Sequence, residues 1–202
     1  MTKKGKLIVF YGINNLGKTT QAKMLVDWLN SIGIPAVYLK YPIYDLWPTG
    51  PKINAYLREN NPEHLTPLEF QELQVRNRKD FQDILDGYLN NGIWVVAEDY
   101  FGTGIAWGMA AGIDQTKLED MNACFIKEDF VFFFDGERFT SGIEKGHTHE
   151  RNAEYTEKAR VAHQQLARKY GWKYVYANLS IDEIHQIIKE TLTKMFNLPS
   201  LA

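Results

Sequence analysis

Short apolar, β-branched runs alternate with longer stretches of helical periodicity along this chain. Five of the runs predict buried strands: Leu7–Tyr11, Ala36–Lys40, Ile93–Ala97, Phe130–Phe134 and Lys173–Ala177. Helical patterns lie between most of these runs: Gln21–Asn30, Pro67–Leu89, Tyr155–Lys169 and Ile181–Phe196. The pattern over Pro67–Leu89 predicts either one long helix or a kinked pair of helices. Two intervening stretches, one rich in Pro, Gly and aromatics and one polar, predict loops: Pro42–Pro51 and Thr140–Ala153.

This alternation predicts the α/β class, with a five-stranded parallel sheet covered by helices on both faces. Ligands of such sheets bind at the carboxyl ends of the strands, where both predicted loops would lie. The chain has 202 residues, a length that fits one domain with a sizeable core. We therefore predict a single domain over residues 1–202.

A phosphate-binding motif follows the first predicted strand. Residues 12–19 read GINNLGKT, a complete G-x-x-x-x-G-K-[ST] pattern between a strand and a helix. Its backbone N–H groups and the helix N-terminus can surround nucleotide phosphates. In this chemistry Lys18 reaches the β- and γ-phosphates of the bound nucleotide, and the Thr19 hydroxyl binds Mg²⁺. The motif predicts a fold of the P-loop NTPase type. The predicted phosphate site comprises Gly12, Asn15, Leu16, Gly17, Lys18, Thr19 and Thr20.

The bulk composition favours a small-molecule partner. A net charge of −2 gives no general attraction to a nucleic acid polymer or an anionic membrane. The single cysteine, Cys124, cannot form an internal disulfide. No apolar run approaches the length that spans a bilayer, and the N-terminal residues lead into a strand rather than a signal peptide. We therefore expect a cytoplasmic protein without nucleic acid or membrane partners.

The motif and the spacing of later segments give the chain a family resemblance. Residues 18–21 (KTTQ) open a helix that stops at Gly33, and the next strand ends in residues 40–42 (KYP). Residues 74–78 (QVRNR), 94–100 (WVVAEDY) and 149–151 (HER) then follow in order. Together they resemble the phosphate loop, the arginine-bearing acceptor helix, the third strand and the lid of the thymidylate kinase family of nucleoside monophosphate kinases. The resemblance covers residues 5–195 approximately.

The resemblance implies transfer of the γ-phosphoryl group of ATP to the 5′-phosphate of a deoxynucleoside monophosphate, dTMP or a related pyrimidine nucleotide. That reaction depends on positioning and charge neutralisation. It implies catalytic roles for Lys18, Glu98 and Arg151, the last in a lid over about residues 140–153. Thr19 would hold Mg²⁺, and Glu98 would hold it, directly or through water, or orient the acceptor. It also implies a homodimer and an acceptor site formed by Asn14, Tyr41, Pro42, Tyr44, Gln74, Arg78, Asp99 and Tyr100.

Four acceptor positions depart from the family pattern. Asn14 replaces an Asp near the acceptor sugar, and Gln74 replaces the aromatic that stacks on thymine. Tyr44 and Asp99 each stand where the family has an arginine. Two positive charges are lost and one negative charge is gained, so a bound phosphate needs other cations. Candidates in the sequence, besides a second Mg²⁺, are Arg76 and Lys52.

Two other functions fit these departures. For a deoxynucleoside kinase a less positive pocket would be no handicap, because its acceptor carries no phosphate, although the motif spacing favours the monophosphate enzymes. The other alternative is a nucleotide-binding protein, either a switch or a degenerate kinase that binds nucleotide without turnover. A switch is the weaker of these, because the chain has no Asn-Lys-x-Asp guanine signature.

Overall fold

Five parallel strands form one sheet in the computed structural model, which describes residues 4–139 and 153–199. Their spatial order is β2-β3-β1-β4-β5. The strands are β1 (Leu7–Tyr11), β2 (Ala36–Lys40), β3 (Trp94–Glu98), β4 (Phe130–Asp135) and β5 (Lys173–Tyr176). Each predicted strand is present within about one residue of its predicted bounds. The register aligns Phe10 with Glu98, so the carboxyl ends of β1 and β3 meet at one edge of the sheet.

Seven helices lie within the described ranges: α1 (Lys18–Ser31), α2 (Thr49–Arg58), α3 (Pro67–Asn90), α4 (Phe101–Ala110), α5 (Gln115–Asn122), α6 (Ala153–Tyr170) and α7 (Ile181–Phe196). Helix α3 is one continuous helix of 24 residues, which decides between the two readings of that segment. The loop predicted over Pro42–Pro51 is wrong at its end, because α2 begins at Thr49. The sequence pattern did not identify α4, whose three glycines lower its helix propensity.

Alternate strand residues face opposite sides of the sheet, so each face has its own core. Phe10, Val96 and Phe132 point to one side, where α1 and α7 contribute Leu25 and Ile188. The other side is covered by α3, α4 and α6, and its buried residues include Val9, Val95, Phe133, Leu89, Ile105 and Leu166. Helices therefore cover both faces, as predicted.

The start of α3 is held by a capping box. Thr66 Oγ1 accepts a hydrogen bond from the Glu69 backbone N–H at 3.3 Å, and the Glu69 carboxylate accepts one from the Thr66 N–H at 2.8 Å. Pro67 occupies the first helical position, where its missing N–H costs nothing. Buried Phe70 and Leu85 then anchor the helix that carries Gln74 and Arg78.

The lid segment, predicted over Thr140–Ala153, lies outside the described residues except for Ala153, which begins α6. The lid and its arginine, Arg151, therefore stay predictions. Within the described ranges, no helix has the length and apolar composition needed to cross a bilayer.

Candidate active site

A cleft of about 390 Å³ opens at the carboxyl edge of the sheet. Its phosphate-loop side is lined by Asn14, Asn15, Leu16, Gly17, Lys18, Thr19 and Thr20. Predicted residues on the remaining walls are Tyr41, Pro42, Tyr44, Gln74, Glu98 and Asp99. Three other predicted residues, Gly12, Arg78 and Tyr100, do not line the cleft. The fold thus brings together motifs that are distant along the chain.

The phosphate loop takes backbone conformations that suit its sequence. Gly12 has φ 138°, and a Cβ there would lie 2.4 Å from the Phe134 carbonyl oxygen. Gly17, at the N-cap of α1, has φ 77°. Asn15 also has a positive φ, 63°, which Asn tolerates better than most residues. These residues turn the chain around the N-terminus of α1, where backbone N–H groups can bind an anion.

Lys18 lies inside this loop. It is 3% exposed, and its Nζ donates to the carbonyl oxygens of Gly12 at 2.9 Å and Ile13 at 2.7 Å. The same nitrogen lies 3.7 Å from Asp99 Oδ1. The ammonium group is therefore held between the loop and the end of β3, where it contributes to the shape of the loop as well as to its charge.

Glu98 at the end of β3 is the centre of a buried polar network. Its Oε2 accepts hydrogen bonds from Thr19 Oγ1 at 2.7 Å and from the Tyr38 hydroxyl at 2.8 Å. Its Oε1 accepts one from Lys40 Nζ at 3.1 Å. Burial alone would raise the pKa of Glu98, but the charges of Lys18 and Lys40 and these hydrogen bonds bring it below its ordinary value. Glu98 is thus an ionised carboxylate beside the Thr19 hydroxyl.

Asp99 is the next residue, in a different environment. Its backbone has φ 59°, and its Oδ1 accepts a hydrogen bond from Thr103 Oγ1 at 3.0 Å. Burial raises the pKa of Asp99 above its ordinary value, while the charge of Lys18 opposes this. The cleft therefore contains two adjacent carboxyl groups with opposite pKa shifts.

Arg78, which was predicted to bind the acceptor, is buried and does not line the cleft. It is 3% exposed; its Nη2 donates to Asn122 Oδ1 at 3.0 Å, and its guanidinium lies 5.5 Å from the centre of the Phe125 ring. Burial lowers the pKa of Arg78 to about 10, which leaves it protonated at neutral pH.

Arg78 Nε has no hydrogen-bond partner within the described residues, and neither has the hydroxyl group of Tyr41 or of Tyr100. The two tyrosine rings are 5.0 Å apart, and Tyr41 itself lines the cleft. Buried donors without partners are costly, and each calls for an explanation such as an anion or a water molecule. We call Arg78, Tyr41 and Tyr100 the donor cluster.

Six cleft residues were not identified from the sequence: Lys40, Leu57, Arg58, Thr103, Trp107 and Phe139. Lys40 carried a usable signal in the sequence, because it is a charged residue at the end of a predicted strand whose other residues are apolar or aromatic. Arg58 lies at the end of α2, whose start was read as a loop. The two cations considered from the sequence lie elsewhere, since Arg76 pairs with Asp80 at 3.8 Å and Lys52 with Glu63 at 3.0 Å.

The chain after β4 folds over the phosphate loop. The Phe139 N–H donates to the Asn15 carbonyl oxygen at 2.9 Å, and Arg138 Nε donates to that of Asn14 at 3.3 Å. Phe139 thereby forms part of the cleft wall directly before the predicted lid.

Comparison with known proteins decides the family. The thymidylate kinase family model matches residues 10–188. The chain belongs to the thymidylate kinase family. Members of this family are nucleoside monophosphate kinases that use ATP, so the predictions of an ATP-dependent enzyme and of its class are confirmed.

Similar curated proteins support the assignment along the whole thymidylate kinase domain. A thymidylate kinase from Dictyostelium discoideum is 29% identical over 199 residues, which cover 97% of this chain and 88% of that protein. Thymidylate kinase from Homo sapiens is 28% identical over 196 residues, covering 93% and 89%. The solved thymidylate kinase structure from Candida albicans has a TM-score of 0.79 at 21% identity, covering 98% of this chain and 96% of that one. This likeness confirms the predicted P-loop NTPase fold.

Proposed function

We propose that this thymidylate kinase family member transfers the γ-phosphoryl group of ATP to the 5′-phosphate of dTMP, forming dTDP and ADP. The observation that carries the proposal is the position of the donor cluster, which adjoins at Tyr41 the same cleft that the phosphate loop lines. The cleft thus has a phosphate loop in its lining and, beside Tyr41, buried hydrogen-bond donors without a partner in the described residues. This arrangement suits two substrates that each carry phosphate. Holding both in one cleft supplies the positioning that this reaction needs.

The donor nucleotide would bind through the phosphate loop. Backbone N–H groups of the loop and of the first turn of α1 would bind its phosphates, as in other helix N-terminal anion sites. Lys18 Nζ has two loop carbonyl partners and lies close to Asp99. We infer that it moves from these carbonyls to the β- and γ-phosphates when ATP binds, where it balances developing charge.

Mg²⁺ fits the oxygen atoms at the base of the cleft. The Thr19 hydroxyl and the Glu98 carboxylate are hard oxygen ligands 2.7 Å apart, and Asp99 lies next to them. The described residues contain no cluster of three or more His, Cys, Asp or Glu side chains that would hold a metal by itself. Thr19 and Glu98 would therefore hold the ion together with nucleotide phosphates and water, which is the usual environment of this cation. Bound there, Mg²⁺ neutralises charge on the ATP phosphates.

The acceptor would bind along the opposite wall. Its 5′-phosphate would accept hydrogen bonds from the donor cluster, of which Arg78 supplies the positive charge. Gln74, which lines the cleft, would hydrogen-bond to an edge of the base, a contact that an aromatic ring cannot make. Asn14 would face the sugar.

Three further features remain part of the proposal. Arg151 would reach the transferring group from the lid over residues 140–153, and closure of the lid would exclude water. We also propose a homodimer, which the family resemblance implies, and a cytoplasmic location, which the composition favours.

The test is product formation from defined substrates. Purified protein is incubated with dTMP, ATP and Mg²⁺, and nucleotides are separated by anion-exchange chromatography. We expect dTDP and ADP to appear in equal amounts, and both to form about a hundred to a thousand times more slowly with Lys18→Ala. ADP without dTDP would indicate simple ATP hydrolysis and would contradict the proposal, as would the absence of any turnover.

A further inference from the structure

Arg58 is the cation that the cleft wall presents beside Tyr44. Both residues line the cleft, and the Arg58 guanidinium carbon lies 4.9 Å from the centre of the Tyr44 ring. A guanidinium over a tyrosine face is held by cation–π attraction. Tyr44 stands at the position where the family resemblance leads us to expect an arginine, so a positive charge lies near that position although the residue has changed.

The end of α2 holds Arg58 in this orientation. Arg58 Nη1 donates to Asn54 Oδ1 one helical turn earlier, at 3.1 Å. Leu57 is buried together with Ile53 and Phe70, which fixes the helix end against α3. Tyr56 stacks on the Phe70 ring at 3.6 Å between ring centres. The guanidinium is therefore positioned before any ligand arrives, which lowers the entropy cost of binding one.

The two other cations that line the cleft lie close to the carboxylates at the end of β3. Lys18 belongs to the phosphate loop, and Lys40 forms an ion pair with Glu98 at 3.1 Å. Arg58 instead lies on the acceptor side with Tyr44 and carries five N–H donors in a planar fork, which suits a phosphate.

We propose that Arg58 binds the 5′-phosphate of the acceptor nucleotide and that the Tyr44 ring supports its guanidinium. Arg58 thus supplies from α2 the charge that position 44 lacks. The inference rests on the proposed function, because it assumes that the acceptor carries a phosphate. Arg58 and the donor cluster would then contact the same phosphate from two sides.

The test compares Arg58→Ala with the parent protein by calorimetric binding of dTMP and of thymidine. We expect Arg58→Ala to weaken dTMP binding by about ten- to a hundredfold and thymidine binding by less than about twofold. A purely structural role would weaken both ligands alike. Arg58→Lys should recover only part of the dTMP affinity, because it keeps the charge but loses the fork. Lys52→Ala is the matched control, since Lys52 is an exposed cation on the same helix that pairs with Glu63.

A rescue experiment addresses position 44 directly. The double variant Tyr44→Arg/Arg58→Ala should bind dTMP better than Arg58→Ala alone, because an arginine at either position can reach the same phosphate. Unchanged dTMP affinity in Arg58→Ala, or equal losses for dTMP and thymidine, would overturn the inference. Calorimetry measures binding without turnover, so this test is separate from the test of the proposed function. A parent protein that binds dTMP but forms no dTDP would refute the proposed function, and the comparison with Arg58→Ala would still test the role of Arg58.

Discussion

Thr19 Oγ1 lies 2.7 Å from Oε2 of Glu98, a residue 79 positions later in the chain. The parallel register of β1 and β3 produces this contact, because it ends both strands at one edge of the sheet. A hydroxyl at the start of α1 and a carboxylate at the end of β3 are thereby brought together, and these are the two oxygen groups of the proposed Mg²⁺ site.

Glu98→Gln should lower kcat by about a hundredfold and increase the Mg²⁺ concentration required for half-maximal rate. The amide keeps the size of the side chain but removes the charge that would hold the cation. Steady-state rates across a Mg²⁺ titration measure both effects. Tyr38→Phe is the control, because it removes one hydrogen bond to Glu98 without changing the charge. Identical Mg²⁺ dependence in Glu98→Gln and the parent protein would argue against this metal site.

Lys18→Ala should lower kcat by about 10² to 10³-fold, because a positive charge near the transferring group is lost. Its hydrogen bonds to Gly12 and Ile13 also stabilise the loop, so the variant should be slightly less stable. Circular dichroism at the assay temperature establishes that it is folded. A folded variant with normal turnover at saturating ATP would remove Lys18 from the donor site.

Arg78→Ala should raise the KM for dTMP by about ten- to a hundredfold, with little effect on the KM for ATP. The substitution removes the charged member of the donor cluster and leaves Asn122 Oδ1 without its donor. Because Arg78 is buried, thermal unfolding must be followed in parallel. Asn122→Ala serves as the matched variant, since it removes the same hydrogen bond but keeps the guanidinium. If the two variants raise the KM for dTMP equally, Arg78 acts through packing rather than on the phosphate.

The titration of His163 should lower the free energy of unfolding as the pH falls from about 6.5 to about 4. The ring is fully buried against Phe133, its Nδ1 lies 2.8 Å from the Ala159 carbonyl oxygen, and burial lowers its pKa to about 4. In this range the unfolded chain binds a proton that the folded protein does not, so the free energy of unfolding decreases by up to about 1.4 kcal/mol per pH unit.

Urea unfolding at several pH values between 4 and 7 tests the role of His163. His163→Gln cannot titrate, so its free energy of unfolding should fall less steeply with decreasing pH. Parallel curves for the variant and the parent protein would show that another group controls the acid response.

The sequence predicted the sheet and the phosphate loop well because both follow local rules. The apolar runs are short and bounded, and the spacing of Gly12, Gly17 and Lys18 is itself the chemical requirement. Helix α4 was missed because its glycines oppose helix formation, and burial of residues such as Ile105 supports it instead. Such tertiary support has no signature within a short window of sequence.

The proposed acceptor side of the cleft was harder to predict, because the positions of its cations depend on the directions of their side chains. Periodicity places Arg78 and Arg76 on different faces of α3, but it cannot reveal that Arg78 turns toward Asn122 on α5. Nor could the sequence identify Arg58, whose position depends on α2 packing against Phe70 of α3. The departures at Tyr44 and Asp99 were visible, whereas the position of Arg58 beside Tyr44 emerged only from the fold.

The central claim is that the acceptor carries a phosphate, and a direct comparison of dTMP with thymidine tests it. With ATP and Mg²⁺, each acceptor is assayed separately and products are identified by ³¹P NMR. We expect kcat/KM for dTMP to exceed that for thymidine by at least about a hundredfold, because thymidine leaves Arg78 and its neighbours without their anion. Faster phosphorylation of thymidine, with dTMP as product, would contradict the proposed function and identify a deoxynucleoside kinase.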